Sequence, residues 1–260
     1  MNFAARPWLL AVLLGLLVLS PAHAGMTPEE VKTFEGHKAL AEKGGQVAQF
    51  NLAVCYANGY GVAKDMIESA QWCRKAADQG YRVAQYNLGN CYFNGEGLAK
   101  DMIEAVKWYR KAADQGYADA QYNLSRCYFN GYGVAKDMVE AVKWLRKSAD
   151  QGYADAYFDL GECYRNGYGV TKDMVEAVKW LRKSANLGYV DAQFRLGFCY
   201  ANGLGVAKNM VEAYAYFNLA GITDEVARNN LAILEKGLSP DARIRGQQRT
   251  KELQKEIESK

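Results

Sequence analysis

Cys55, Cys91, Cys127, Cys163 and Cys199 stand 36 residues apart along this chain. Trp72, Trp108, Trp144 and Trp180 keep the same interval, and Tyr216 takes the fifth place. A period of that length marks a repeat architecture, in which each unit buries its apolar side only against its neighbours. It defines five units, 48–83, 84–119, 120–155, 156–191 and 192–227. Units two and three differ at only seven of 36 positions, so their likeness mixes structural need with shared descent.

Each unit reads as two helices. In unit two, Ala84, Leu88, Cys91 and Tyr92 fall at i, i+4, i+7 and i+8, an apolar helical stripe. Asn94-Gly95-Glu96-Gly97 ends that helix, because glycine reaches the positive φ of a helix C-terminus and a tight turn. Asp101 follows as an N-cap with Glu104 three residues on, the pattern of a capping box. The second helix carries Ala105, Trp108, Tyr109 and Ala112 inward. No proline falls between Pro28 and Pro240 to interrupt the run. The fold class is therefore all-α.

The spacing Leu88-Gly89-x-x-Tyr92-x-x-Gly95-x-Gly97-x-x-Lys100-Asp101-x-x-x-Ala105-x-x-Trp108-x-x-Lys111-Ala112-Ala113-x-x-Gly116 resembles the Sel1-like repeat, a relative of the tetratricopeptide repeat. It recurs over 48–227. The resemblance implies an α/α solenoid, a right-handed superhelix of stacked helix-turn-helix units. Unit five departs after Glu212, keeping apolar Tyr216, Leu219 and Ala220 but losing the Lys and the final Gly. Residues 31–47 align with a second helix alone, and 25–47 are expected to form a degenerate half-repeat or cap. Residues 228–260 are expected to supply C-terminal capping helices, since solenoid ends need polar covers. There, 229–235 continues helically and Gly237 closes it. Ser239-Pro240 then opens a charged helix whose thin apolar side is Ile244, Leu253 and Ile257.

At the start of the chain, Arg6 precedes twelve uncharged residues, 8–19, and Ser20-Pro21 ends them. Ala22 and Ala24 occupy the positions a signal peptidase reads, so residues 1–24 are expected to be a signal peptide cleaved after Ala24. Twelve residues make roughly 18 Å of helix against a ~30 Å hydrocarbon core, too short for an anchor. The product would be periplasmic or secreted, with no membrane insertion after cleavage.

Composition disfavours several chemistries. The formal charge is +3, so a nucleic-acid partner is not expected. The chain has two histidines, and cleavage would leave only His37, so no metal, cofactor or His-based catalysis is expected. No G-x-S-x-G, H-E-x-x-H or S-x-x-K occurs. Gly59-Tyr60-Gly61-Val62-Ala63-Lys64-Asp65 superficially suggests a phosphate loop, but it follows a helix and recurs five times, so it reads as a turn. The tryptophans read as packing rather than a ligand track, and Asp137 as a helix cap beside a solvated Lys136. Equivalent cysteines of stacked units lie roughly 8–10 Å apart, beyond the ~7 Å reach of a disulfide. Cys73 breaks the column, and its pairing with Cys55 or Cys91 stays open.

Binding is placed by the resemblance on the concave side lined by first helices. The positions implied to face it form two columns: Val54, Asn90, Arg126, Glu162, Phe198, and Ala57, Phe93, Phe129, Arg165, Ala201. Both vary more between units than the packing columns do. Candidate residues for a protein or peptide partner are Phe93 and Phe129 as apolar anchors, with Asn90, Arg126, Glu162, Arg165 and Phe198 beside them. Asn58, Asn94, Asn130, Asn166 and Asn202 read either as local turn residues or as an amide ladder for an extended peptide. The resemblance implies an exported interaction scaffold, not an enzyme, that modulates envelope enzymes, signalling or host contact. The alternative is a cell-wall hydrolase, or a β-lactam- or muropeptide-binding protein, with Asp159 and Glu162 as its carboxylates.

Overall fold

The computed structural model describes residues 26–259; the expected signal peptide, 1–24, lies outside them. Thirteen helices and no strand are found among the described residues. The five units are the pairs α2 (Gln46–Asn58) with α3 (Met66–Asp78), α4 (Arg82–Asn94) with α5 (Met102–Asp114), and α6 (Ala118–Asn130) with α7 (Met138–Asp150), then α8 (Ala154–Asn166) with α9 (Met174–Ala185), and α10 (Val190–Asn202) with α11 (Met210–Ala220). Helix α1 (Pro28–Glu42) precedes them, and α12 (Glu225–Lys236) and α13 (Pro240–Glu258) follow. Every helix packs on its sequence neighbour from α1 to α12, the arrangement of an α/α solenoid.

Side chains set the helix starts. Asp65, Asp101, Asp137 and Asp173 each accept two backbone N–H bonds at the head of a second helix, and Asn209 does so in unit five. The reciprocal bond expected from Glu104 is absent. Its carboxylate instead meets Lys107 Nζ at 2.6 Å, one turn along the exposed side. A full capping box occurs at Thr27 and Glu30, at the start of α1.

The units are joined by backbone as well as by core. Gly97, Gly133, Gly169 and Gly205 have φ of +65° to +68°, and a Cβ on any of them would overlap the carbonyl of Met66, Met102, Met138 or Met174 in the unit before. Gly61 meets the Glu30 carbonyl of α1 in the same way, so α1 holds the place of a preceding second helix. Buried Gln85 and Gln121 each donate to the end of the previous second helix, to Ala77 O and Ala113 O, both at 3.1 Å. Those carbonyls belong to the last helical turn, which has no partner of its own within the helix.

Core side chains are matched across each helix pair. A Cβ on Gly89 would stand 2.6 Å from Tyr109, one on Gly161 2.9 Å from Leu181, and one on Gly197 2.7 Å from Phe217. Unit one has Ala53 at that position, and opposite it Cys73 in the same buried cluster. The odd sixth cysteine is thus the small partner that a larger neighbour requires. All six thiols are unpaired, and Cys73 Sγ donates to Ala84 O at 3.3 Å. Burial pushes the Cys73 thiol up to about 12, which leaves it un-ionised and unreactive.

At the C-terminal end, Ser239 caps α13 and Pro240 begins it. Helix α13 lies on α11 and buries Gly246, Thr250 and Leu253. Ile244, expected on its inward side, is 64% exposed. Gly246 takes the close contact instead, where a Cβ would lie 2.5 Å from Tyr214.

Candidate binding groove

Several of the varying positions of the first helices line two cavities. The smaller, about 160 Å³, is lined by Asn90, Phe93, Asn94, Tyr109, Asn123, Arg126, Cys127 and Tyr132 of units two and three. Tyr109 Oη donates to Asn90 Oδ1 at 2.7 Å, and Asn123 Nδ2 reaches the same oxygen at 3.4 Å. Burial raises the Tyr109 phenol well above its ordinary range, so it stays a donor. The Phe93 ring meets Tyr132 edge-on, with centroids 5.8 Å apart. The exposed Arg126 guanidinium lies 5.9 Å from the Tyr122 ring and forms no ion pair among the described residues.

The larger cavity, about 510 Å³, is bounded by Arg165, Asn166, Lys172, Met174, Phe194, Arg195, Phe198, Cys199, Leu204 and Asn230. Glu162 stands beside it. Arg165 grips the Glu162 carboxylate with Nε at 2.7 Å and Nη2 at 2.6 Å, and Arg195 Nε approaches at 3.6 Å. That fork-to-carboxylate geometry fixes the Arg165 side chain along α8.

Of the residues expected to bind, Asn90, Phe93 and Arg126 share one cavity, and Arg165 and Phe198 share the other. Phe129 lines neither. It packs against the clusters around Leu124 and Leu160 and joins units three and four. Asp159 and Glu162 line neither cavity. Tyr122 Oη donates to Asp159 Oδ2 at 3.0 Å, while burial holds that carboxyl above its usual range. Four of the five column asparagines turn back on their own helix: Asn58, Asn130, Asn166 and Asn202 donate to the carbonyl four residues earlier, at 2.9 to 3.0 Å. Each precedes a glycine at φ +70° to +78°, so these amides serve the helix end.

Several lining residues escaped the sequence reading. Asn123 and Arg195 belong to a further column, Asn51, Asn87, Asn123, Asp159 and Arg195, one helical turn before the first column and on the same face. Its variation in charge was the available clue. Lys172 and Leu204 come from turns, and Asn230 comes from α12, outside the repeats.

The sequence model of the Sel1 repeat matches residues 46–81, 82–117, 118–153, 154–189 and 190–221. The chain belongs to the Sel1 repeat family. The matched units begin two residues before those counted from the cysteines, close to where the first helices start. A Sel1 repeat protein of Oxalobacter formigenes is 33% identical, with a TM-score of 0.72 over 86% of this chain and 97% of that one. The protective antigen c5321 of uropathogenic Escherichia coli, described as displaying an SLR fold, is 30% identical with a TM-score of 0.57. The similarity covers 88% of this chain but only 57% of that antigen. No curated protein matches the chain. Sel1 repeats generally mediate contacts between proteins, and the scaffold is typically not catalytic. No helix among the described residues is long and apolar enough to cross a membrane.

Proposed function

We propose that this chain is an exported interaction scaffold that holds a segment of a partner protein along the face of its first helices. One observation carries the reading. Varying positions of the first helices, Asn90, Phe93 and Arg126 in one cavity and Arg165, Arg195 and Phe198 in the other, line cavities, whereas the repeated Leu88, Leu124 and Leu160 are fully buried. Where the fold needs the same residue five times, variation marks the surface freed for recognition. Phe93 supplies apolar area, and Arg126, Asn90 and Asn123 supply polar selection. Export rests on the uncharged run 8–19 followed by Ala22-His23-Ala24.

Capture of partners from a native envelope fraction, with bound proteins identified by mass spectrometry, tests the binding face. Arg126→Glu combined with Phe93→Ala should abolish capture of the wild-type partner while helical circular dichroism stays unchanged. Capture that survives both substitutions removes the assignment. Export is checked separately, because the protein recovered from cells should begin at Gly25.

A further inference from the structure

The two cavities differ in charge. Arg165, Lys172 and Arg195 line the larger one, and no acidic residue does. Glu162 answers one of these three charges, which leaves the cavity at about +2. Lys172 forms no ion pair among the described residues. Arg195 is held only through Nε, at 3.6 Å, and neither of its Nη groups donates a hydrogen bond there. The same cavity is lined by Phe194, Phe198, Met174 and Leu204, with Phe198 47% exposed and Leu204 37%. Helix α12 closes one side with Asn230. A free guanidinium edge and an ammonium sharing one cavity with exposed aromatic and aliphatic carbon form an amphipathic, cationic socket.

Resting on the groove reading above, we infer that this cavity takes an acidic, apolar peptide segment of the partner. A Glu or Asp carboxylate enters between Lys172 and Arg195, and a neighbouring Leu or Phe side chain lies on Phe198 and Leu204. Charge complementarity chooses the acid, and the exposed carbon chooses its neighbour. A volume of about 510 Å³ falls in the range of pockets that enclose a few side chains. The cations stand beside exposed Phe198 and Leu204, a mixed lining that suits a peptide side chain paired with a carboxylate better than a lipid headgroup alone. Arg165 keeps its grip on Glu162 and acts as a positioning residue for the wall.

Fluorescence anisotropy on the full mature chain tests this with a labelled Leu-Glu-Leu-Glu-Phe peptide, its Leu-Lys-Leu-Lys-Phe twin, and phosphatidylglycerol vesicles. The acidic peptide should bind saturably, and the lysine twin at least tenfold more weakly. Lys172→Glu with Arg195→Glu should cost at least tenfold and Phe198→Ala about tenfold, with helical content unchanged. Raising the salt should weaken binding. Equal binding of the two peptides, or no loss on charge reversal, overturns the assignment. Vesicle association that depends on Lys172 and Arg195, without peptide binding, overturns it in favour of a lipid surface. Native-partner capture that survives Lys172→Glu with Arg195→Glu but fails with Phe93→Ala and Arg126→Glu overturns the acidic socket and leaves the groove standing. Capture that survives both pairs of substitutions overturns the groove itself.

Discussion

Helices α7 and α11 hold the same place in their units, yet they bury different amounts of themselves. In α7 one stripe is buried, including Ala141, Trp144 and Leu145, and Lys143 reaches solvent beside Glu140. In α11 nearly the whole circumference is buried, from Ala213 through Phe217 and on to Leu219 and Ala220. The 36-residue register puts Ala215, fully buried, where units two to four have exposed Lys107, Lys143 and Lys179. Tyr214 stands where they have Val106, Val142 and Val178, and Asn218, where they have arginine, bonds to Thr250 of α13. An inner unit leaves that side to water, whereas the last unit has α13 laid across it. A helix apolar on all sides is a helix covered on all sides.

The comparison breaks most sharply at Ala215. Ala215→Lys restores the residue of the inner units and places an ammonium beneath α13, at an expected loss of about 3–5 kcal/mol. Thermal melting should show the loss, and hydrogen exchange should show α13 losing protection before α7 does. Lys143→Ala, the reverse exchange in an inner unit, gives up only an exposed pair with Glu140 and should stay within about 0.5 kcal/mol. Similar melts for the two variants would mean that α13 does not cover α11.

The turns sharpen the comparison from the other side, because they are the same in both regions. Gly133 and Gly205 stand at φ +65° and +68°, each against a methionine carbonyl of the previous unit. Gly133→Ala and Gly205→Ala should each cost about 3 kcal/mol, combining a left-handed backbone with overlap that backbone cannot yield to. Gly131→Ala meets nothing nearer than Lys136 Cβ and Val134 O, both at 3.6 Å, and should cost about 1 kcal/mol. Denaturant midpoints measure all three. A much smaller loss at Gly205 would show that the final unit stacks loosely despite its cover.

Size matching offers a smaller test. Cys73→Tyr gives unit one the Tyr109 of unit two without the Gly89 that accommodates it, an overpacking of about 1–3 kcal/mol. Adding Ala53→Gly should recover about 1 kcal/mol or more of that, a coupling that a double-mutant cycle reads directly. Additive effects would show that the two positions are not partners.

The fold was legible because a strict period states both the unit and its neighbours. Once Leu88, Trp108 and Asp101 are assigned in one unit, four more units follow. What stayed hidden depends on contacts the period does not spell. Gly97 read as a turn residue, but its second duty is to clear the Met66 carbonyl, and a carbonyl has no sequence signature. Ile244 read as inward because apolar residues usually are, yet Gly246 made the close contact with Tyr214. The candidate groove was half legible. Asn90 and Arg126 came from one varying column and Phe93 from the other, whereas Lys172, Leu204 and Asn230 reach their cavity from turns and from α12. Phe129 shows the limit of reading a column as a surface, because neighbouring units closed over it.

Asp159 supplies the smallest expected effect and the most delicate one. It is the single carboxylate in a column that otherwise holds Asn51, Asn87, Asn123 and Arg195. Burial is the main reason its carboxyl stays above the ordinary aspartate range, with the Tyr122 hydroxyl and Arg126 pulling the other way. A folded-state value above the unfolded one means that the ionised form is penalised in the fold. Asp159 therefore subtracts stability at neutral pH, and the penalty fades as pH falls through the folded value toward the unfolded one. Asp159→Asn keeps an oxygen for the Tyr122 hydroxyl and carries no charge. It should melt slightly higher than the wild type at pH 7, and the two curves should converge on acidification. Curves that stay parallel from pH 7 to 4 would mean that Tyr122 and Arg126 compensate the burial in full. The inner carboxylate would then be as comfortable in its place as Arg195 is in the last unit.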